Sequence, residues 1–336
     1  MATAELLVNK YLVPEPIAAE IGDLADAHRR NFSSYPELLE GLGVREMQTV
    51  SYDGYKPLQV VDIKPRQDYN EKKALLVHVA MANSLDPNQL VQIGIIAAAN
   101  PDTRVIAHGN PAAPRQAKSG LLTWPQMAQV ARGDFAPTVD PFLKFLEEQG
   151  IEEEDHYGYS YGEVALTEMM KRAERSTHCA ISFDTARAVQ WAKHFVLAGG
   201  VRLGFAFNAT AAPMQGYVEE SELPAFEAAR DDSPGALAYA LGVARASNIA
   251  IGLGISHGGY VEETRQALLT QPEARYTGAY GTQSEFNTNG ETKTAMTQLE
   301  TEFGERFTPR PVATHHAGAN NIYLQAALVR EARTAA

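Results

Sequence analysis

Two serines in the 336-residue chain stand with a glycine two residues away on each side. Residues 158–162 read GYSYG and residues 254–258 read GISHG, so the candidates are Ser160 and Ser256. The pattern suits a nucleophile. It lets a strand run into a sharp, strained turn and a helix leave it, with the glycines allowing the two to pack closely. A serine hydroxyl attacks only when a histidine takes its proton and an acid orients that histidine. Both copies pass the local test, so the elements around them must decide.

Before Ser160, residues 45–65 (REMQTVSYDGYKPLQVVDIKP) hold two β-rich runs flanking Asp53-Gly54, a hairpin signal. KKALLVHVAM and TRVIAHGNP are short apolar runs, read as buried strands, with the helical segment PNQLVQIGIIAAAN between them. Helical patterns follow at 124–132 and 141–149, and another precedes the hairpin at 15–32. EEDHYGYS is the strand that feeds Ser160, and YGEVALTEMMKRAE the helix that leaves it. Afterwards come THCAISFD, ARYTGAYG and RPVATHH as strands, with GETKTAMTQLETEF and NNIYLQAALVREA as helices. Strands separated by crossover helices give an α/β class: a mostly parallel central sheet of about eight strands with helices on both faces.

Residues 185–271 break this alternation with helical pieces, a Pro- and acid-rich segment and the run IAIGLGISHGGY. They read as a cap inserted into a core formed by 1–184 and 272–336. Ser256 has only two strands after it. Its glycines read as a turn that lets the chain pass close to another backbone. They also spell a loose nucleotide-binding fingerprint, but no parallel strand ending in a ribose-binding acid follows. Ser160, after four strands and the one that feeds it and before three more, is the expected nucleophile.

This order, with FLEEQGIEEEDHYGYSYGEVALTEMM at its centre, resembles the α/β-hydrolase superfamily over residues 45–333. The resemblance implies a triad in the order serine, acid, histidine. It places the base in VATHHAGANN, at His316 or, less favoured, His315, whose alternation along a strand would point them opposite ways. The acid is expected after RYTGAYG, where Glu285 is the nearest carboxylate; Asp184, ending HCAISFD, is the rival and equally suits an Asx cap for the next segment. The oxyanion donors are expected at the Tyr161 N–H, opening its helix, and at Ala80 or Met81 in HVAMANS, where the superfamily often has His-Gly. His78 matches that pair and reads as an organiser of the loop, Val79 departs from it, and His257 in the cap is placed to face a substrate.

Such a site implies hydrolysis of a small or medium carboxylic ester, or an amide or thioester, through an acyl-enzyme. Acyltransferases, carbon–carbon hydrolases and haloperoxidase-like members share the triad, and a scaffold that binds a ligand or protein without turnover is a different class to weigh. Composition narrows the partners. The net charge of −12 and the lack of a clustered basic stripe speak against nucleic acid. No run approaches the roughly 20 apolar residues of a membrane span, and the first residues lack a secretory pattern, so a cytoplasmic location is the expectation. The lone Cys179 reads as an inert core residue. His28, His108, His156, His178 and His194 show no metal-ligand spacing, so neither metal nor cofactor is expected. The partner is a small-molecule substrate, and a homo-oligomer is compatible with the chain.

Overall fold

The computed structural model describes residues 47–55, 58–65, 68–79, 87–109, 122–172, 174–185, 250–251, 253–255, 257–282, 284, 290–313 and 322–336. Eight strands form one sheet: β1 (Met47–Val50), β2 (Leu58–Ile63), β3 (Lys73–His78), β4 (Arg104–His108), β5 (Glu153–Tyr159), β6 (Ser176–Phe183), β7 (Arg275–Gly281) and β8 (Phe307–Val312). Their spatial order is β1-β2-β4-β3-β5-β6-β7-β8. β2 runs antiparallel to β1 and β4, and every other pairing is parallel. The expected class and strand number hold.

The helices are α1 (Pro87–Ala99), α2 (Trp124–Val130), α3 (Ala136–Glu148), α4 (Gly162–Met170), α5 (Tyr260–Thr270), α6 (Glu291–Phe303) and α7 (Ile322–Ala335). Strand alternation sends Leu75, Val77, Tyr157 and Ile181 to the face where Ile93 and Ile96 of α1 meet Leu324 and Leu328 of α7. It sends Ala74, Leu76 and Ile106 to the opposite face, against Phe142 and Leu146 of α3 and Met169 of α4. Two apolar faces, each covered by helices, are the physical content of the short unbroken apolar runs. Cys179 is buried in the first of these faces, and burial pushes its thiol up to about 12, as an inert core residue should be.

Three boundaries differ from the sequence reading. α3 begins at Ala136, five residues earlier than expected, with one proline in its first turn and Pro141 inside it. A first-turn proline costs nothing because its missing N–H has no helical partner there. β8 begins at Phe307 and contains Pro309 and Pro311, which its place at the edge of the sheet tolerates. It ends at Val312 with a bend at Ala313, and His315 and His316 lie outside the described residues. Within the stretch read as cap, α5 is a helix between β6 and β7 that packs on α4 and α6. The remaining cap residues, 186–249, and the N-terminal helix expected at 15–32 lie outside the described residues.

Candidate active site

β5 delivers Ser160 to the C-terminal edge of the sheet, and α4 starts two residues later. Ser160 has φ 55°, in the left-handed region that costs a non-glycine residue on the order of 1–3 kcal/mol. Its N–H donates to the carbonyl of Phe183 at 3.0 Å, so the strained turn is pinned to β6. The two flanking glycines are obligatory. A Cβ on Gly158 would lie 2.5 Å from the backbone of Gly162, and one on Gly162 would lie 2.1 Å from the carbonyl oxygen of His78. The second contact also shows that the end of β3 sits against the start of α4.

Among the described residues one other non-glycine has positive φ, and it stands beside the first. Asp184 ends β6 with φ 49°. Its N–H donates to Ala279, its Oδ1 accepts from the N–H of Gly281 at 3.1 Å, and its Oδ2 accepts from the Ser284 hydroxyl at 2.8 Å. The carboxylate therefore ties the end of β6 to the end of β7. The segment for which an Asx cap by Asp184 is expected begins at residue 186, outside the described residues. Glu285, the next residue after Ser284, lies outside the described residues, as do His315, His316, Ala80 and Met81.

The two strained strand ends are fastened together. Glu163, fully buried in the first turn of α4, accepts a 2.8 Å hydrogen bond from the hydroxyl of Thr185, the neighbour of Asp184. Tyr161 is the N-cap of α4 and is buried, at the helix end where backbone N–H groups lack helical acceptors and favour an anion. Glu163, Thr185 and Ser284 had no signal in the sequence. Their adjacency is made by strand order, not by spacing along the chain.

The second G-x-S-x-G has different surroundings. Ala250, Ile251, Leu253, Gly254, Ile255 and His257 are helical. Among the described residues no strand leads to Ser256, itself outside them, and these helical positions supply neither the strand of an elbow nor that of a nucleotide fingerprint. The reading of this run as a turn is also corrected to helix. Its Gly254 does serve close approach, since a Cβ there would lie 2.0 Å from the carbonyl oxygen of Val130. Ile251 and Ile255 pack on Tyr161 and Val164, so this segment buttresses the turn at Ser160. His257 is exposed, with its Cβ 3.1 Å from where a Cβ on Gly133 would stand.

His78 is buried, and its ring nitrogens lie 3.2 Å from His108 and 3.0 Å from His156, both residues of neighbouring strands; the loop it is expected to organise lies, from Ala80 on, outside the described residues. Among the described residues no group of histidine, cysteine or carboxylate side chains is arranged to hold a metal, and no helix is long and apolar enough to cross a membrane.

No protein-family model matches the chain, and no curated protein does. Solved structures do. MGS-M2, an α/β-hydrolase enzyme from a Medee basin deep-sea metagenome library, superposes with TM-score 0.55 and 12% identity over 85% of this chain and 97% of its own. Naproxen esterase (carboxylesterase NP) from Bacillus subtilis gives 0.52 and 15% over 93% and 97%. The enol-lactonase from Burkholderia xenovorans LB400 gives 0.51 and 12% over 86% and 99%. At these identities the likeness is one of fold: the chain has the α/β-hydrolase fold.

Proposed function

We propose that the chain is a serine hydrolase acting on small or medium carboxylic esters through an acyl-enzyme. The observation that carries this reading is Ser160 itself. A left-handed serine joins β5 to α4, with both flanking glycines required by backbone contact. Such strain persists where the surroundings over-determine it, and it clusters at functional sites. Naproxen esterase, of the same fold, is by its name an esterase.

In this reading Ser160 attacks the ester carbonyl, His316 takes its proton and later returns one to the leaving alcohol, and Glu285 holds the imidazole in the productive tautomer. The oxyanion accepts from the N–H groups of Tyr161 and Ala80. Asp184 supports the acid through its position. Its carboxylate oxygens accept from Gly281 and from Ser284, the residue that precedes Glu285 in the chain. The stretch 185–271 serves as the cap in this reading, which favours short or medium acyl chains over emulsified lipid and strengthens the oxyanion contacts by excluding water. The test is turnover of p-nitrophenyl esters from acetate to octanoate. The expected result is Ser160-dependent hydrolysis of these esters without a rate jump on emulsified triglyceride. Hydrolysis that survives Ser160→Ala removes the reading.

A further inference from the structure

Three histidines from three neighbouring strands lie in one line on the α3/α4 face of the sheet. His108 Nδ1 is 3.1 Å from the carbonyl oxygen of Gly109. His108 Nε2 is 3.2 Å from His78 Nδ1, and His78 Nε2 is 3.0 Å from His156 Nδ1. His156 Nε2 is 3.0 Å from Oε1 of Glu154, with the Thr177 hydroxyl at 3.4 Å. All four ionisable residues are buried, none more than 3% exposed. Because His78 turns opposite nitrogens to its two partners, the nitrogens form a line and do not converge on a point, as metal ligands must.

The line has a direction, and its origin is a carbonyl. The Gly109 carbonyl oxygen can only accept, so His108 carries its proton on Nδ1 and leaves Nε2 bare. His78 must then donate from Nδ1 and accept at Nε2, and His156 must donate from Nδ1. That leaves His156 Nε2 facing a carboxyl oxygen, a contact that needs one proton between them. Three neutral imidazoles plus one proton shared by His156 and Glu154 satisfy every contact, and the assembly has no net charge. Glu154 Oε2 has no hydrogen-bond partner among the described residues, so an unshared negative charge there would be costly to bury. A second added proton would set two N–H groups against each other.

We infer that this one-proton line is a positioning device for the end of β3 and hence for the oxyanion loop. It rests on the hydrolase reading above. His78 is the last residue of β3, its carbonyl lies against Gly162 at the start of α4, and Ala80 stands two residues further along the chain. Phe142 of α3 stacks on the His108 ring at 4.1 Å and closes the line from below. Burial holds His78 well below the ordinary imidazole range, aided by its two histidine neighbours, and holds His108 down to about 4, in line with neutral rings. The line ties β4, β3 and β5 together across the sheet and so fixes the end of β3.

Two measurements test it. The first is nitrogen NMR of histidine-labelled wild-type protein at pH 7, with rings assigned from His78→Gln and His108→Gln. His78 and His108 should both show a protonated Nδ1 and a bare Nε2, and an Nε2–H form of either overturns the line. The second is steady-state hydrolysis by Glu154→Gln and Glu154→Leu. The glutamine amide can donate to His156 Nε2, so it should keep kcat within about threefold. The leucine cannot, and should lower kcat by about tenfold to a hundredfold with KM little changed, approaching the loss of an oxyanion donor. Unchanged kcat in Glu154→Leu, or equal loss in both variants, overturns the positioning role. Absence of Ser160-dependent turnover in the wild type, with both tautomers as expected, removes the hydrolase reading and the catalytic role of the line with it; the proton count then stands alone.

Discussion

Two edges of the same sheet bury polar groups in opposite ways. At the edge where α7 ends, Asp155 accepts from Arg333 at 2.9 Å and from the N–H of Cys179, while Arg333 also donates to Asn100. Arg104 donates twice to Asp62 and once to Gln149. The Asp155 and Asp62 carboxylates there each meet an arginine, and none of these four residues has positive φ. At the C-terminal edge of the parallel strands, Ser160 and Asp184 sit side by side in the left-handed region, and the buried Glu163 of α4 accepts from the Thr185 hydroxyl. Buried polarity alone therefore does not mark a site. Among the described non-glycine residues, left-handed backbone occurs at this second edge alone.

The largest effect that would sharpen this contrast is at Ser160. Ser160→Ala should lower kcat by about 10⁶-fold, as removal of a triad nucleophile does, while the thermal midpoint stays level. A change confined to stability would put Ser160 in the same class as the relaxed edge. Next comes the acid. Glu285→Gln should lower kcat by about 10⁴-fold through loss of the tautomer lock. Asp184→Asn should instead cost on the order of 1–3 kcal/mol of stability by disturbing the acceptors for Gly281 and Ser284, with a smaller fall in turnover. The reverse ranking, read by kinetics and urea titration on both variants, makes Asp184 the acid.

The relaxed edge should behave in the opposite manner. Arg333→Met leaves Asp155 buried without its main partner, and about 3 kcal/mol of stability should be lost, with kcat of the folded protein unchanged. A fall in kcat at constant fold would erase the distinction between the edges. The smallest effect is in pH. His108 titrates near the ordinary 6.5 when unfolded and at about 4 when folded, because burial disfavours its cation. Between these values the unfolded chain binds a proton that the native chain refuses. Stability therefore falls as pH drops through this window, by about 3 kcal/mol at most from this residue. Urea titrations at pH 7, 5.5 and 4.5 should show a shallower slope in His108→Gln, and equal slopes would contradict the assignment.

What the sequence disclosed follows the range of the interactions. The elbow at Ser160 is local: five residues carry the glycines, the strand and the helix start. The strands are local as well, because a short apolar run covered on both faces reads the same in any order. The histidine line is not local, since His78, His108 and His156 meet only when β3 is laid between β4 and β5. Asp184 and Ser284 likewise meet only through the pairing of β6 with β7. The segment at 250–257 misled for another reason. Its glycines lower helix propensity by about 1 kcal/mol each, but Ile251 and Ile255 bury against Tyr161 and Val164, and Gly254 lets that packing close. Tertiary packing overrode the local preference.

The central claim is that Ser160, and no other serine, is chemically activated. Reaction of the intact protein with a fluorophosphonate, followed by peptide mapping, tests it directly. The account predicts one adduct, on Ser160, abolished by Ser160→Ala and retained in Ser256→Ala. An adduct on Ser256, or a folded protein that takes up no label, would contradict it.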